Sequence, residues 1–196
     1  MIKQVIAALA LMVSPAFAEV TYTEETRSLV ISGPTSSYQS VMVARAFANH
    51  KVDTVYMWGP GGEFYAGLDI GRRIKNSGAR VIVPSGAECI SACALASMGA
   101  NGVEVDGVIL FHKPFAISVP SMVTIDEIAG HHGVAYLDMT QYIYDMLGDA
   151  GIQFARHLVA NTTPCLFLSV SSNSDAISVS KGEFSMLSMD DRCNPA

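Results

Sequence analysis

The sequence predicts an α/β fold whose strands are largely parallel. Short segments rich in apolar and β-branched residues alternate with longer segments in which apolar residues recur at helical spacing. The strand segments are largely apolar, which is typical of parallel strands covered by helices. The chain has 196 residues, 50% of them hydrophobic, and one domain with a single core accommodates that size.

The elements at the start of the chain follow from local signals. Residues 19–27 are polar, and we expect a loose lead-in there. Residues 28–32 are predicted to form a strand that stops at Gly33-Pro34. Either Thr35 or Ser36 can cap the helix that follows. The spacing of its apolar residues predicts that the inward face of this helix carries Val41, Ala44, Phe47 and Ala48.

Three further strands and a second helix complete the central pattern. Strands are predicted over residues 53–58, 80–84 and 108–112, because these segments are short and apolar. Residues 64–76 are predicted to form a helix that ends at Gly78, since glycine suits a left-handed C-cap. The inward face of this helix is expected to carry Leu68, Ile70 and Ile74.

The pattern changes after Pro114. We interpret residues 115–130 as a loop or short insertion, residues 136–147 and 153–160 as two helices, and residues 166–170 as a late strand. The first of these helices carries an apolar stripe, which we interpret as a core face rather than a partner surface: Tyr136, Met139, Ile143, Met146 and Leu147.

The charge balance excludes one broad class of function. The chain has 12 Lys+Arg against 18 Asp+Glu, a formal net charge of −6, and no run of basic residues. A protein that binds nucleic acid generally needs a basic surface that displaces counterions from the phosphates. We therefore expect no nucleic-acid partner.

Residues 1–18 have the features of a secretory signal peptide. Lys3 supplies a positive start, residues 5–13 are an unbroken apolar run, and residues 16–18 read Ala-Phe-Ala, a small-x-small cleavage site. The run is shorter than the roughly 20 residues that span a bilayer, which disfavours a membrane anchor. We expect cleavage to leave residues 19–196 as one domain, periplasmic or secreted, with no stable membrane span.

Export would place the four cysteines in an oxidising compartment, where disulfides are the default. Cys165 and Cys193 form no closely spaced pair of the kind that a zinc site needs, so we expect no metal. Four cysteines allow three pairings, and the sequence does not choose among them. Our preference is Cys165–Cys193, with Cys89–Cys93 either a tight local bridge or a pair of reduced thiols.

A glycine-rich turn, Trp-Gly-Pro-Gly-Gly, occupies residues 58–62. One interpretation is a tight strand-to-helix turn, in which glycine supplies positive φ angles. The other is a set of exposed backbone N–H groups at the start of a helix, able to hold an oxyanion. A phosphate loop is excluded, because the Gly-Lys-Ser/Thr ending of that motif is missing.

Ser91 lies directly after a buried strand and before a helix of small residues. A hydroxyl there suits a nucleophile, because the N–H of Ala92 and the helix dipole favour developing negative charge. The plainer interpretation is a helix cap, with Ala92, Ala94 and Ala96 permitting close packing. The motif GxSxG is absent, so the sequence does not support an α/β-hydrolase elbow.

His112 ends the strand predicted over residues 108–112 and is a candidate general base. The alternative is a structural hydrogen bonder, which is the commoner role for a histidine after an apolar strand. The competing histidines are less favoured. The adjacent pair His131-His132 cannot face one site from a regular element, and His157 lies in a predicted amphipathic helix.

Four short motifs follow one another along the chain: Gly33-Pro34; Pro60-Gly61-Gly62 with Gly67 and Ile70 after it; Cys89-x-Ser91-Ala92-Cys93; and Phe111-His112. In order and spacing they resemble the Clp protease proteolytic-subunit/crotonase superfamily. More narrowly, they are similar to a branch of exported, Clp-protease-like bacterial proteins. The resemblance covers residues 28–114 well and the rest of the chain loosely.

The resemblance implies a fold of stacked β-β-α units, here with a C-terminal helical portion, that assembles into trimers or hexamers. It also implies roles for particular residues. Ser91 matches the nucleophile of the peptidase members and His112 their general base, while the backbone N–H groups that match the oxyanion hole belong to Gly61, Gly62 and Ala92. Ser97 is rejected as the nucleophile, because it falls a turn and a half into the helix.

The third member of the peptidase triad is where the sequence departs from the family. In Clp peptidases an aspartate lies just before a Phe-Leu-Ser-like strand. The matching residues here are 167–169, which puts Cys165 in the aspartate's place, and a cysteine cannot stabilise an imidazolium as a carboxylate does. Asp138, Asp145 or Asp175 could substitute from another position.

Three functions are weighed. The leading one is an exported serine hydrolase of peptidase type that takes a peptide or acyl substrate and no cofactor. The alternative is a catalytically silent binding or assembly module, favoured by the missing aspartate, so whether the chain is an enzyme stays open. Acyl-CoA chemistry of the crotonase kind is third, because no basic cluster for the phosphates of CoA is evident.

Overall fold

The computed structural model describes residues 18–112, 125–149, 151–152, 154–155 and 165–168. The strands are β1 Glu19–Thr23, β2 Ser28–Ser32, β3 Thr54–Trp58, β4 Arg80–Val83, β5 Glu88–Ile90, β6 Val103–Val105, β7 Val108–His112 and β8 Cys165–Leu168. The helices are α1 Ser37–Asn49, α2 Phe64–Ser77, α3 Ala92–Ser97 and α4 Ile125–Leu147.

The strands form two sheets, and the prediction of an α/β fold with largely parallel strands is confirmed. The larger sheet has the order β1-β2-β3-β4-β6, in which every pair is parallel except the antiparallel edge pair β1–β2. The smaller sheet has the order β5-β7-β8, in which β5 and β7 are parallel and β8 is antiparallel to β7. The carboxyl ends of β5 and β7 therefore meet at one edge of the smaller sheet.

Helix α2 matches its prediction closely. It ends at Gly78, whose φ of 72° is the left-handed conformation that favours glycine at a C-cap. Leu68, Ile70 and Ile74 are each at most 1% exposed and belong to the hydrophobic core, together with Leu29, Val55 and Val81 from successive strands of the larger sheet.

The packing of α2 against α3 depends on missing side chains. A Cβ on Gly67 would lie 2.5 Å from the carbonyl oxygen of Ala92 and 2.9 Å from its Cβ. One turn further along α2, Gly71 meets Gly99 in the same way, since a Cβ on Gly99 would lie 3.1 Å from the Gly71 Cα. The small buried residues of α3 therefore do permit close packing, with Ala92, Ala94 and Ala96 at most 1% exposed.

Two predictions about the first 50 residues are wrong. Residues 19–27 are not a loose lead-in, because β1 pairs with β2 along its whole length and turns Val20 and Tyr22 toward the core. The inward face of α1 is also predicted wrongly in part, since Phe47 packs against the core as expected but Val41 and Ala48 do not. Val41 is 50% exposed and Ala48 is exposed, whereas Gln39, Ser40 and Val43 are buried.

Hydrogen bonds explain why the buried face of α1 differs from the prediction. The Gln39 side-chain amide donates to the carbonyl oxygen of Ser32 at 2.9 Å, and the Ser40 hydroxyl donates to Asp69 of α2. Polar residues of α1 therefore lie on its buried face, where the spacing of apolar residues alone would place Val41. Ser36, one of the two residues proposed as the cap, accepts a hydrogen bond from the Gln39 N–H at 3.2 Å.

The loop or short insertion predicted over residues 115–130 is wrong for residues 125–130, because α4 begins at Ile125. Residues 115–124 lie outside the described residues. Gly130 lowers helix propensity by only about 1 kcal/mol, which the remaining turns of a 23-residue helix offset. The core-face interpretation of the apolar stripe is confirmed. Met139 and Ile143 are fully buried, and the other members of the stripe, Tyr136, Met146 and Leu147, pack partly buried against the core.

Several predictions fall wholly or partly outside the described residues. They are the signal peptide up to residue 17, Cys193, Asp175, His157, the helix predicted over residues 153–160 apart from residues 154–155, and the end of the predicted strand 166–170. Within the described part of the chain, no helix is both long enough and apolar enough to cross a bilayer.

Replacing Gly67 with alanine tests the backbone contact between α2 and α3. Alanine favours a helix over glycine by about 1 kcal/mol, but the added methyl group meets the Ala92 carbonyl. We expect Gly67→Ala to lower the free energy of unfolding by about 1–3 kcal/mol. The control is Gly133→Ala in α4, where a Cβ meets nothing within 4 Å and a gain of up to about 1 kcal/mol is expected. Chemical denaturation measures both, and equal gains would contradict the packing.

Candidate functional site

Ser91 joins β5 to α3 and has an unusual backbone conformation, with φ at 57° and ψ at −117°. Among the described non-glycine residues, only Ser91 and Arg27 have a positive φ. Such a conformation costs about 1–3 kcal/mol and persists only where the surrounding structure imposes it, most often at functional sites. The strand-to-helix turn thus has a strained serine at its tip although the GxSxG motif is absent.

Hydrogen bonds and a disulfide hold the turn on both sides of Ser91. Its N–H donates to the carbonyl oxygen of Leu110 in β7 at 2.8 Å, and its own carbonyl oxygen accepts from the Leu95 N–H at 3.0 Å. Cys89 and Cys93 are joined in a disulfide with Cα atoms 5.2 Å apart. The sequence allowed either a local bridge or a pair of reduced thiols here, and the structure has the bridge. The other preferred pairing, Cys165–Cys193, involves residues whose side chains lie outside the described part of the structure.

The Ser91 hydroxyl does not cap α3. Ser91 occupies the N-cap position, yet its side chain makes no capping hydrogen bond. The plainer interpretation of this serine as a helix cap is therefore wrong, because the left-handed backbone turns the residue away from the usual extended N-cap conformation. The residue is half-buried, so solvent reaches it.

The glycine-rich turn lies directly against Ser91. Gly61 has a φ of 83°, and a Cβ placed on it would lie 2.6 Å from the Ser91 Cβ and 3.0 Å from the Ala92 nitrogen. Only glycine allows this approach, because any side chain would push the two turns apart. The structure thus brings together Gly61, Ser91 and Ala92, three of the residues that the sequence singled out.

Backbone hydrogen bonds fix the glycine-rich turn in place. The Thr35 N–H donates to the carbonyl oxygen of Gly61 at 2.8 Å, and the Glu63 N–H donates to that of Thr35 at 2.9 Å. Gly59 links the same turn to β5. Its N–H donates to the backbone carbonyl oxygen of Glu88 at 2.7 Å, and its carbonyl oxygen accepts from the Ile90 N–H at 2.9 Å.

The Glu63 carboxylate adds a contact to the start of α1. It accepts a hydrogen bond from the Ser37 N–H at 2.9 Å and another from the Ser37 hydroxyl. Sequence reasoning missed Glu63 altogether and assigned Thr35 only a possible cap, because partners more than 25 residues apart leave no local pattern.

Three backbone N–H groups in and around the Ser91 turn make no hydrogen bond within the described residues. Within the described part of the chain, the N–H groups of Gly61, Gly62 and Ala92 donate to no backbone or side-chain acceptor. Backbone N–H groups are obligatory donors, so groups left free next to a hydroxyl can serve a bound acceptor. Donors of this kind beside a nucleophile are what an acyl-transfer site needs.

His112 ends β7 at the edge of the smaller sheet where Ser91 follows β5. The parallel register of β5 and β7 ends with Ile90 opposite Leu110. Ser91 follows the first strand directly, and His112 is the last residue of the second, so both lie at the carboxyl ends of neighbouring strands. The competing pair His131-His132 lies in α4.

The position across from His112 is occupied by Cys165. The antiparallel register of β7 and β8 pairs these two residues directly. Of the carboxylates considered as substitutes, Asp138 accepts a hydrogen bond from the Tyr65 hydroxyl at 2.9 Å, and Asp145 accepts one from Gln141 at 2.8 Å. The bond to Asp138 raises the pKa of Tyr65.

Ser97, the rejected alternative nucleophile, is held inside α3. Ser97 is 2% exposed, and its hydroxyl donates to the carbonyl oxygen of Ala94 at 2.7 Å, so it is held inside α3. No group of three or more His, Cys, Asp or Glu side chains in the described ranges is arranged to hold a metal ion.

Comparison with known proteins gives a likeness at the level of structure. No family model and no curated protein matches the sequence. Among solved structures, a point mutant of ClpP1 from Listeria monocytogenes matches with a TM-score of 0.53 and 16% identity, covering 68% of this chain and 80% of that one. ClpP1 from the same organism matches with a TM-score of 0.51 and 18% identity, covering 74% and 84%.

The fold is ClpP-like. The expectation of a fold like that of the Clp protease subunit is therefore confirmed for the architecture. At these identities the likeness shows the fold alone.

Replacing Ser91 with glycine tests whether its backbone is strained. Glycine adopts positive φ without steric cost, whereas alanine retains the strain. We expect Ser91→Gly to be more stable than Ser91→Ala by about 1–2 kcal/mol. At Ser97, the last residue of α3, the backbone is helical and the order reverses, so that glycine is less stable than alanine by about 1 kcal/mol. Denaturant titration of the four variants measures both differences, and the same order at both positions would contradict the strained turn.

Proposed function

We propose that this protein is an exported serine hydrolase of peptidase type. Ser91 is its nucleophile, His112 is its general base, and an oxyanion hole is formed by the N–H groups of Gly61, Gly62 and Ala92. The observation that carries the proposal is Ser91 at positive φ, packed against the backbone of Gly61 and with a hydroxyl that makes no capping hydrogen bond to α3. Strain of this kind marks sites where a fold sacrifices stability for function.

The chemistry of the proposed site follows from these positions. The Ser91 oxygen attacks the carbonyl carbon of an ester or amide, and His112 accepts the hydroxyl proton. The N–H groups donate to the oxygen that becomes negative, and a single such donor contributes about 3–4 kcal/mol to the barrier reduction. His112 then returns the proton to the leaving group, and water releases the acyl group from Ser91.

Export to the periplasm or beyond is part of the proposal. It is supported by the small-x-small cleavage site at residues 16–18 and by β1, which begins at Glu19 directly after it. It is also supported by the Cys89–Cys93 disulfide, since such bonds persist in oxidising compartments. A trimer or hexamer is proposed from the resemblance to the Clp protease subunit.

A second function is favoured by Cys165. This residue pairs with His112 in the register of β7 and β8. By the resemblance in sequence it stands where the Clp peptidases carry their aspartate, and a cysteine gives an imidazolium no comparable stabilisation. Loss of the carboxylate in a triad lowers the rate by about four orders of magnitude. A silent binding or assembly module with a ClpP-like fold is therefore the competing proposal.

Labelling with a fluorophosphonate probe separates the two functions, because the probe reacts only with an activated serine. We expect labelling of the oxidised protein, none in Ser91→Ala, and labelling slowed about 100- to 10,000-fold in His112→Ala. The matched control is Ser97→Ala, which removes a serine from the same short helix and is expected to label normally. An unlabelled folded protein would favour the binding module, and labelling that survives in Ser91→Ala would contradict the assignment of the nucleophile.

A further inference from the structure

The Cys89–Cys93 disulfide closes a ring of five residues around Ser91. Cys89 lies in the centre of β5 and Cys93 is the second residue of α3, so the bond spans the strand-to-helix turn from one side to the other. Both cysteines are buried, at 0% and 4% exposed. The bond therefore lies beneath the turn, on the core side, while Ser91 stays within reach of solvent.

The elements that flank Ser91 are too short to impose its conformation easily. β5 has three residues and α3 has six. A residue held at positive φ reverts to an ordinary conformation unless its surroundings over-determine it. The Ser91 N–H and carbonyl group make one backbone hydrogen bond each, and the disulfide is the covalent link between the two ends of the turn.

The same ring contains the parts of the proposed site that must stay aligned. Ser91 supplies the hydroxyl and Ala92 supplies an N–H group, and both lie against Gly61 on the neighbouring turn. A return of Ser91 to negative φ would move its hydroxyl relative to the N–H groups of the glycine-rich turn and to the N–H group of Ala92. A displacement of about 1 Å at a reacting group costs about 100-fold in rate.

We propose that Cys89 and Cys93 are positioning residues whose disulfide holds Ser91 in its left-handed conformation, so that the site becomes competent only once the bond has formed. The inference rests on the function proposed above for its catalytic consequence, but not for the conformational one. Because the bond is favoured by an oxidising compartment, the chain would stay silent while its thiols are reduced.

The activating step exchanges electrons with a small-molecule disulfide such as oxidised glutathione. The thiolate of one cysteine attacks that disulfide and releases one thiol, which leaves a mixed disulfide. The second cysteine thiolate then attacks the protein sulfur and releases the other thiol. Two protein thiols lose two electrons and two protons in total, and the reagent gains them as it becomes two thiols.

The test compares the full chain, refolded with a glutathione redox buffer, with the double variant Cys89→Ala/Cys93→Ala. Hydrogen exchange at the Ser91 and Leu95 amides reports the turn directly, whether or not the protein is an enzyme. We expect exchange about tenfold faster at these two amides in the double variant, with the amides of β2 and β3 unchanged. We also expect fluorophosphonate labelling to slow about 100-fold.

A buried control separates positioning from general stability. Val43→Ala leaves a cavity beneath α1, away from the turn, and lowers stability without touching the ring. We expect it to retain the labelling rate and the slow exchange at Ser91. An equal loss of labelling in both variants, or unchanged exchange at Ser91 and Leu95 without the disulfide, would overturn the inference. An oxidised protein that is never labelled would refute the proposed function, and the exchange rates alone would then decide the role of the disulfide.

Discussion

The direct contact between the Gly61 backbone and the Ser91 turn is the constraint on which the candidate site depends. It requires glycine at position 61, a left-handed serine at the end of β5, and no side chain between them. Each requirement has a cost in conformational freedom or strain. That cost is offset by the hydrogen bond that Thr35 donates to Gly61, the one that Ser91 donates to Leu110, and the Cys89–Cys93 disulfide, which together fix both turns.

The two-sheet architecture explains why these turns meet. The glycine-rich turn leaves the carboxyl end of β3 in the larger sheet, and Ser91 leaves the carboxyl end of β5 in the smaller one. Gly59 bridges the two sheets through its paired bonds to Glu88 and Ile90. Helix α3 then packs backbone to backbone on α2, so that Ala92 is held beside Gly61 and Gly67 together.

Local patterns predicted much of this arrangement. The apolar spacing and the end signals of the sequence predict strands β2 and β7 and helix α2. The short motifs that follow one another along the chain point to Gly61, Ser91 and Ala92. The positive φ of Ser91 has no such signal in its own residue type, and its backbone groups bond to Leu110 and Leu95. The inward face of α1 likewise depends on hydrogen bonds to other elements, from Gln39 to Ser32 and from Ser40 to Asp69.

A crystal structure of the protein after reaction with a fluorophosphonate tests the central claim most directly. The account predicts a phosphonyl group on the Ser91 oxygen, with its second oxygen about 2.7–3.1 Å from N–H groups of the Gly61-Gly62 turn and Ala92. It also predicts that Ser91 keeps its positive φ in the adduct. An unmodified Ser91 with an ordinary φ, its hydroxyl bonded to an N–H in the first turn of α3 as a helix cap, would contradict it.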